Sequence, residues 1–134
     1  MSREAINPKS MYDSVRYGFS HATRSRGGTV IHCSGQVGWD ATGKLVGPGD
    51  VAAQARQALA NLKQVLKEAG ATPADVVRMK VFVVNHKPEY LESVGAAIGE
   101  FYGSASPPAS TWLGVQSLAL PELLIEIEAT AVVD

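Results

Sequence analysis

Several things are scarce in this chain of 134 residues. It holds one cysteine, Cys33, so no disulfide can close within it, which fits a reducing compartment. Its three histidines, His21, His32 and His86, show no paired-ligand spacing with that cysteine. No metal site and no cofactor are expected. Neither charge dominates: 12 Lys and Arg face 13 Asp and Glu, for a net charge of −1. Without a basic stripe, neither nucleic acid nor an anionic membrane is an expected partner. No apolar run is long enough to span a bilayer. The segment "MSREAINPKSMYDS" lacks the apolar core of a secretory signal. The expected compartment is the cytoplasm.

Hydrophobic residues make up 46% of the sequence. The length suits one domain spanning residues 1–134, with residues 1–14 as an N-terminal arm. No repeat or linker interrupts it. "YGFSHATRSRGGTVIHCSGQVG" reads as a hairpin, two apolar-alternating runs around glycines that suit a tight turn. "DATGKLVGPGD" is loop. In "DVAAQARQALANLKQVLKEAG", Val51, Ala55, Ala58, Leu59, Leu62, Val65, Leu66 and Ala69 recur at helical spacing, with Asp50 as N-cap and Gly70 just past the end. "DVVRMKVFVVN" is a strand rich in β-branched residues. "KPEYLESVGAAIGEFYG" is a second helix, with Pro88 in its first turn and Leu91, Val94, Ile98 and Phe101 as its stripe. Two strands follow, Ala109–Ser117 and Leu123–Val133.

The order β-β-α-β-α-β-β places the chain in the α+β class. Two helices can cover one face of such a sheet. Yet Val81 and Val83 point one way and Phe82 and Val84 the other, and Leu124 and Val132 oppose Ile125 and Ile127. An apolar face left open in this way predicts contact with another subunit.

The carboxylates of Glu126 and Glu128 lie in an apolar strand, and "PPASTW" offers no cation opposite them. "SGQVGWDATGKLV", "DVAAQARQALANLKQVLKEAGA", "DVVRMKVFVVN" and "LPELLIEIEA", in this order, resemble the RidA (YjgF) family, also called endoribonuclease L-PSP. The similarity runs from about Asn7 to Val133. It implies a chorismate-mutase-like fold and a barrel-like homotrimer with small-molecule sites in clefts between subunits. Well-known members hydrolyse enamines and imines to 2-keto acids and ammonia. The resemblance assigns the substrate-contacting "SG" to Ser34 and Gly35, the catalytic glutamate to Glu126, and the first-strand aromatic to Tyr17 or Phe19. The family's substrate-gripping arginine falls on Ser110, or on Thr111 if a one-residue gap lies elsewhere. A usual asparagine falls on Gly95. A serine hydroxyl donates one hydrogen bond and carries no charge. The usual 2-imino acids are therefore expected to be poor substrates.

Each candidate has a plainer account. Glu126 either activates water for attack on an imine carbon or pairs across an interface; Glu128 reads as a rim charge. Ser110 and Thr111 either bind ligand or satisfy nearby backbone. Trp112, two residues past Ser110, lines a pocket or fills core, as does Trp39. His32 and His21 are acid–base candidates or structural histidines. Cys33 reads as core. Arg24 and Arg26 are solvated turn charges, or reach a neighbour's cleft. The function expected is hydrolytic deamination of a small enamine or imine other than the usual 2-imino acids. The alternatives are a trimeric metabolite binder without turnover, and a ribonuclease, which the charge balance disfavours.

Overall fold

The computed structural model describes residues 3–134. Its longest element forms where the apolar spacing predicts it, helix α1 over Val51–Glu68. Asp50 caps it, accepting from the Ala53 amide at 3.1 Å. At the far end Gly70 adopts φ +80°. The Ala71 amide donates to the Leu66 carbonyl at 2.8 Å and the Gly70 amide to Lys67 at 3.1 Å. This bond pair is a Schellman stop, and it needs the positive φ that glycine tolerates. Ala55, Ala58, Leu62 and Leu66 are buried as the stripe requires. Val65 and Ala69 instead turn to the exposed side.

Helix α2 spans Tyr90–Tyr102, and Glu89 is its N-cap residue, so Pro88 precedes the first turn instead of lying in it. Val94, Ile98 and Phe101 are buried, whereas Leu91 is 52% exposed. The strands are β1 (Glu4–Ile6), β2 (Ala22–Arg24), β3 (Thr29–Gln36), β4 (Val76–Val84), β5 (Ala109–Val115) and β6 (Ile125–Val133). Four of them form a sheet in the order β3-β6-β4-β5. Only β4 and β5 pair in parallel within it. Helix α2 makes the crossover that a parallel pair demands. The last two strands are thus separated in the sheet by β4.

Both helices pack on one face. Met79, Val81 and Val83 from β4 and Ile125, Ile127 and Ala129 from β6 meet the α1 and α2 stripes there, in the same core as Cys33. The other face carries Arg78, Lys80, Phe82 and Val84, all half-buried. It also exposes Val30 and Leu113. The α+β class and the two-sided apolar strands therefore stand.

The expected hairpin does not form. β2 pairs with β1, inside the arm, while β3 pairs with β6. The arm is thus a strand, and Arg24, its side chain 2.6 Å from Glu4, is an ion-pair partner in that ribbon. A local turn lost to a long-range match: Ile31 and Cys33 fall opposite Ala131 and Ala129 on the core face of the sheet. Tyr17 and Phe19 are not on a strand either. Val15–Tyr17 forms a short 3-10 turn closed by Gly18 at φ +86°. Ser14 and Ser20, both buried, pin the segment. Ser14 donates to Asn7 at 3.0 Å, Asn7 to Ser20 at 3.3 Å, and Ser20 to the Pro107 carbonyl at 2.6 Å.

Candidate functional site

The uncovered sheet face holds one group of candidates. Glu126 lies opposite Phe82, and Glu128 opposite Lys80. Beside Glu126, strand β3 breaks register between Cys33 and Gln36, so Ser34 and Gly35 drop out of the ladder. Such a bulge leaves backbone polar groups free of strand pairing. The Gln36 side-chain amide donates back to the Ser34 carbonyl at 3.1 Å. Gly35 lies directly against Glu126: a Cβ at position 35 would sit 2.7 Å from Glu126 Cδ and 2.8 Å from Cγ. Only a residue without a side chain lets that carboxylate lie over the bulge. Burial separates Cys33, in the core, from Ser34, which is exposed.

The same face settles the parity of β5. Thr111 pairs with Lys80 and Leu113 with Phe82, so both share the Glu126 face. Ser110 pairs with Met79 and Trp112 with Val81, on the helix side. A single residue decides which face a strand position serves. Thr111, and not Ser110, is therefore the β5 hydroxyl on the Glu126 side. Arg78 donates to the Thr111 hydroxyl at 2.6 Å. The sequence reading overlooked Arg78 and Lys80, although their alternation with Phe82 in "RMKVFV" already places all three on one face.

The second group lines a cleft of about 900 Å³ on the other side, between the 3-10 turn, helix α2 and the start of β5. Tyr17, Phe19, Gly95, Ser110 and Trp112 all reach it, with Ile98 and Tyr102 at its base. Burial pushes the Tyr102 phenol well above its ordinary range, which keeps it neutral, and its hydroxyl donates to Met79 Sδ at 3.3 Å. Trp112 donates its indole N–H to His86 Nδ1 at 3.3 Å, and the two rings meet edge to face. That bond fixes the indole at the cleft wall.

One chain thus splits the predicted site. Ser34, Gly35, Glu126 and Thr111 lie on the open face, and Tyr17, Phe19, Ser110 and Trp112 on the helix side. His32 is on the open face opposite Thr130. His21 has a structural setting: its Nε2 lies 2.9 Å from the Tyr12 carbonyl, its amide donates to Asn7 at 2.8 Å, and its ring packs against Tyr12. Trp39 sits in the loop after β3, where its carbonyl accepts from Asn61 at 2.8 Å. Among the described residues no group of three or more His, Cys, Asp and Glu could hold a metal ion.

The sequence matches the family described as Endoribonuclease L-PSP over residues 12–133. A Rid-family protein of unknown function from Yersinia pestis, YyfB, shares 58% identity and superposes with a TM-score of 0.96, covering 99% of this chain and all of that one. The YjgF gene product of E. coli shares 33% identity at a TM-score of 0.68, over 96% of this chain and 92% of its own. A Bos taurus protein named 2-iminobutanoate/2-iminopropanoate deaminase is 38% identical over 105 residues, 77% of this chain and 72% of that protein. The chain belongs to the endoribonuclease L-PSP family, the RidA/YjgF proteins.

Proposed function

We propose that the protein is a hydrolytic deaminase of a small imine or enamine, working in a homotrimer. The open face of one copy and the helix-side cleft of the next supply the two halves of each site. The contact of Gly35 with Glu126 carries the reading. It holds a carboxylate over bulged backbone on a face that its own chain leaves uncovered. Deaminases among the relatives support the reaction class.

In this reading Glu126 takes a proton from water as the water oxygen bonds to the imine carbon. The C=N π pair passes to nitrogen, which receives that proton from Glu126, giving a carbinolamine. Glu126 then carries the proton of its hydroxyl to the nitrogen, the C–N bond breaks with its pair leaving on ammonia, and a carbonyl product and the Glu126 carboxylate remain. Exposed backbone at Ser34 and Gly35 orients the substrate. Neither Ser110 nor Thr111 carries charge, so small 2-imino acids should turn over slowly. Should 2-iminobutanoate instead turn over fast, with loss of that turnover in Arg78→Gln, the guanidinium beside Thr111 is the carboxylate grip.

The uncharged hydroxyls at positions 110 and 111 favour one competing reading, a trimeric metabolite binder without turnover. Ammonia release by the parent protein tests between them, and Glu126→Gln tests the role of the carboxylate. Ammonia release from imines generated in situ should fall by about two to four orders of magnitude with folding and assembly intact. Stability lost with per-site activity kept would make Glu126 an interface ion-pair partner instead.

A further inference from the structure

The helix-side cleft has features that a small acid would not use. Its volume, about 900 Å³, lies at the upper end of pockets that enclose ligands of drug size. A four-carbon acid would leave most of it empty. The walls are aromatic and aliphatic: Tyr17, Phe19 and Trp112 surround it. The charges that reach it, Arg16 and Glu92, are opposite in sign and both exposed at the rim. Arg16 is moreover stacked over the Tyr17 ring, 5.4 Å from its centre. Inside it, Ser110 supplies a hydroxyl and Tyr102 a neutral phenol.

Helix α2 opens the space. Gly95 and Gly99 stand one turn apart on the cleft side, and a Cβ at either would meet nothing within 4 Å. Glycine inside a helix is unfavourable relative to alanine. Among the described residues no close approach requires it here, and the missing side chains leave the void open.

We infer that this cleft takes a neutral, ring-bearing molecule, an aromatic imine or its carbonyl product, with the ring between Tyr17 and Trp112 and the polar atom at Ser110. Aromatic faces favour another ring at stacking or edge distance. Within the cleft itself a carboxylate would meet only the exposed Arg16, already stacked on Tyr17 and balanced by Glu92, to offset its lost hydration. The inference rests on the hydrolase reading for the reaction, but the binding stands apart from turnover.

Titration of the Trp39→Phe protein, followed by Trp112 emission, tests it with three probes: acetophenone, benzoate and butanone. Acetophenone should bind at least tenfold tighter than benzoate, which keeps the ring and adds charge, and than butanone, which keeps the carbonyl and drops the ring. Gly95→Leu, which favours the helix and fills the void, should weaken acetophenone at least tenfold with the melting temperature not lowered and the native mass unchanged. Benzoate or butanone binding as tightly as acetophenone would overturn the assignment. So would a Gly95→Leu protein that falls apart into single chains, since a second copy would then occupy the cleft. Acetophenone binding with no hydrolysis of any imine would refute the hydrolase reading alone. Hydrolysis of small imines without acetophenone binding would do the reverse.

Discussion

Gly35 and Glu126 fit together across the β3–β6 boundary so closely that a methyl group at 35 would overlap the carboxylate. Those two residues are therefore one steric unit. Any side chain at 35 pushes Glu126 off the bulge, even though nothing polar has been removed.

Gly35→Ala should accordingly destabilise the fold only modestly, by about 1 kcal/mol at the low end of overpacking, because the atoms it meets belong to the flexible, half-buried Glu126 side chain. It should also reduce activity by displacing the carboxylate. Shortening the partner relieves the clash. Gly35→Ala combined with Glu126→Ala should regain most of the lost stability and none of the activity. Urea unfolding of the four proteins of this cycle measures the coupling. Strict additivity of the two changes would show that the side chains do not meet.

Gln54 offers a second test, away from the site. It is fully buried on α1. Its amide donates to the Gly47 carbonyl at 3.1 Å and the Glu122 carbonyl at 3.3 Å, and its oxygen accepts from the Leu124 amide at 2.9 Å. One side chain thus ties two loops to the helix just before β6. Gln54→Leu keeps the size but strands those backbone groups, at roughly 2–4 kcal/mol. Hydrogen exchange should show the Leu124 amide losing protection first. A variant as stable as the parent would mean that water replaces all three bonds.

The Cys33 thiol gives a pH dependence with a definite sign. Burial raises its pKa above the ordinary 9.0. The unfolded thiol therefore ionises before the folded one. The contribution from keeping it neutral is complete below about pH 9 and is lost as pH rises through the folded value. Parent stability should fall faster than that of Cys33→Ala between pH 9 and pH 11, with parallel curves below. Iodoacetamide at pH 8 should label the folded thiol far more slowly than the unfolded one. Equal labelling rates would contradict its burial.

The parts of this structure that periodicity controls were legible in the sequence. Asp50 and Gly70 bound α1 as expected, and the alternation in "VFVV" separates buried Val81 and Val83 from half-buried Phe82 and Val84. What depended on choosing between distant partners was not. Nothing in "RSRGG" says that Ile31 and Cys33 fit Ala131 and Ala129 better than they fit the residues before the turn. Nor does "PPASTW" reveal which hydroxyl faces Glu126. One residue of register moves Ser110 or Thr111 across the sheet, and the pairing with β4 alone decides it. Placing Tyr17 required the Asn7, Ser14 and Ser20 bonds, which join residues that no local pattern relates.

The last prediction concerns assembly, on which the proposed site depends. Val30 is 52% exposed and Leu113 44% exposed. With half-buried Phe82 and Val84 they form an apolar field on the uncovered sheet face. Arg78, Lys80, Glu126 and Glu128 interrupt it with charges of both signs. A face that mixes apolar area with balanced charge suits a specific contact between copies, which typically buries more than about 1,000 Å². Light scattering should give three times the chain mass of 14.1 kDa. Val30→Lys with Leu113→Lys adds two like charges at positions that the isolated chain leaves open, so each chain should fold as before. The trimer should dissociate, and activity should vanish with it, because each half-site loses its complement. Retention of full activity by a folded, single-chain form would show that one copy is sufficient, and the two-face arrangement of the site would be wrong.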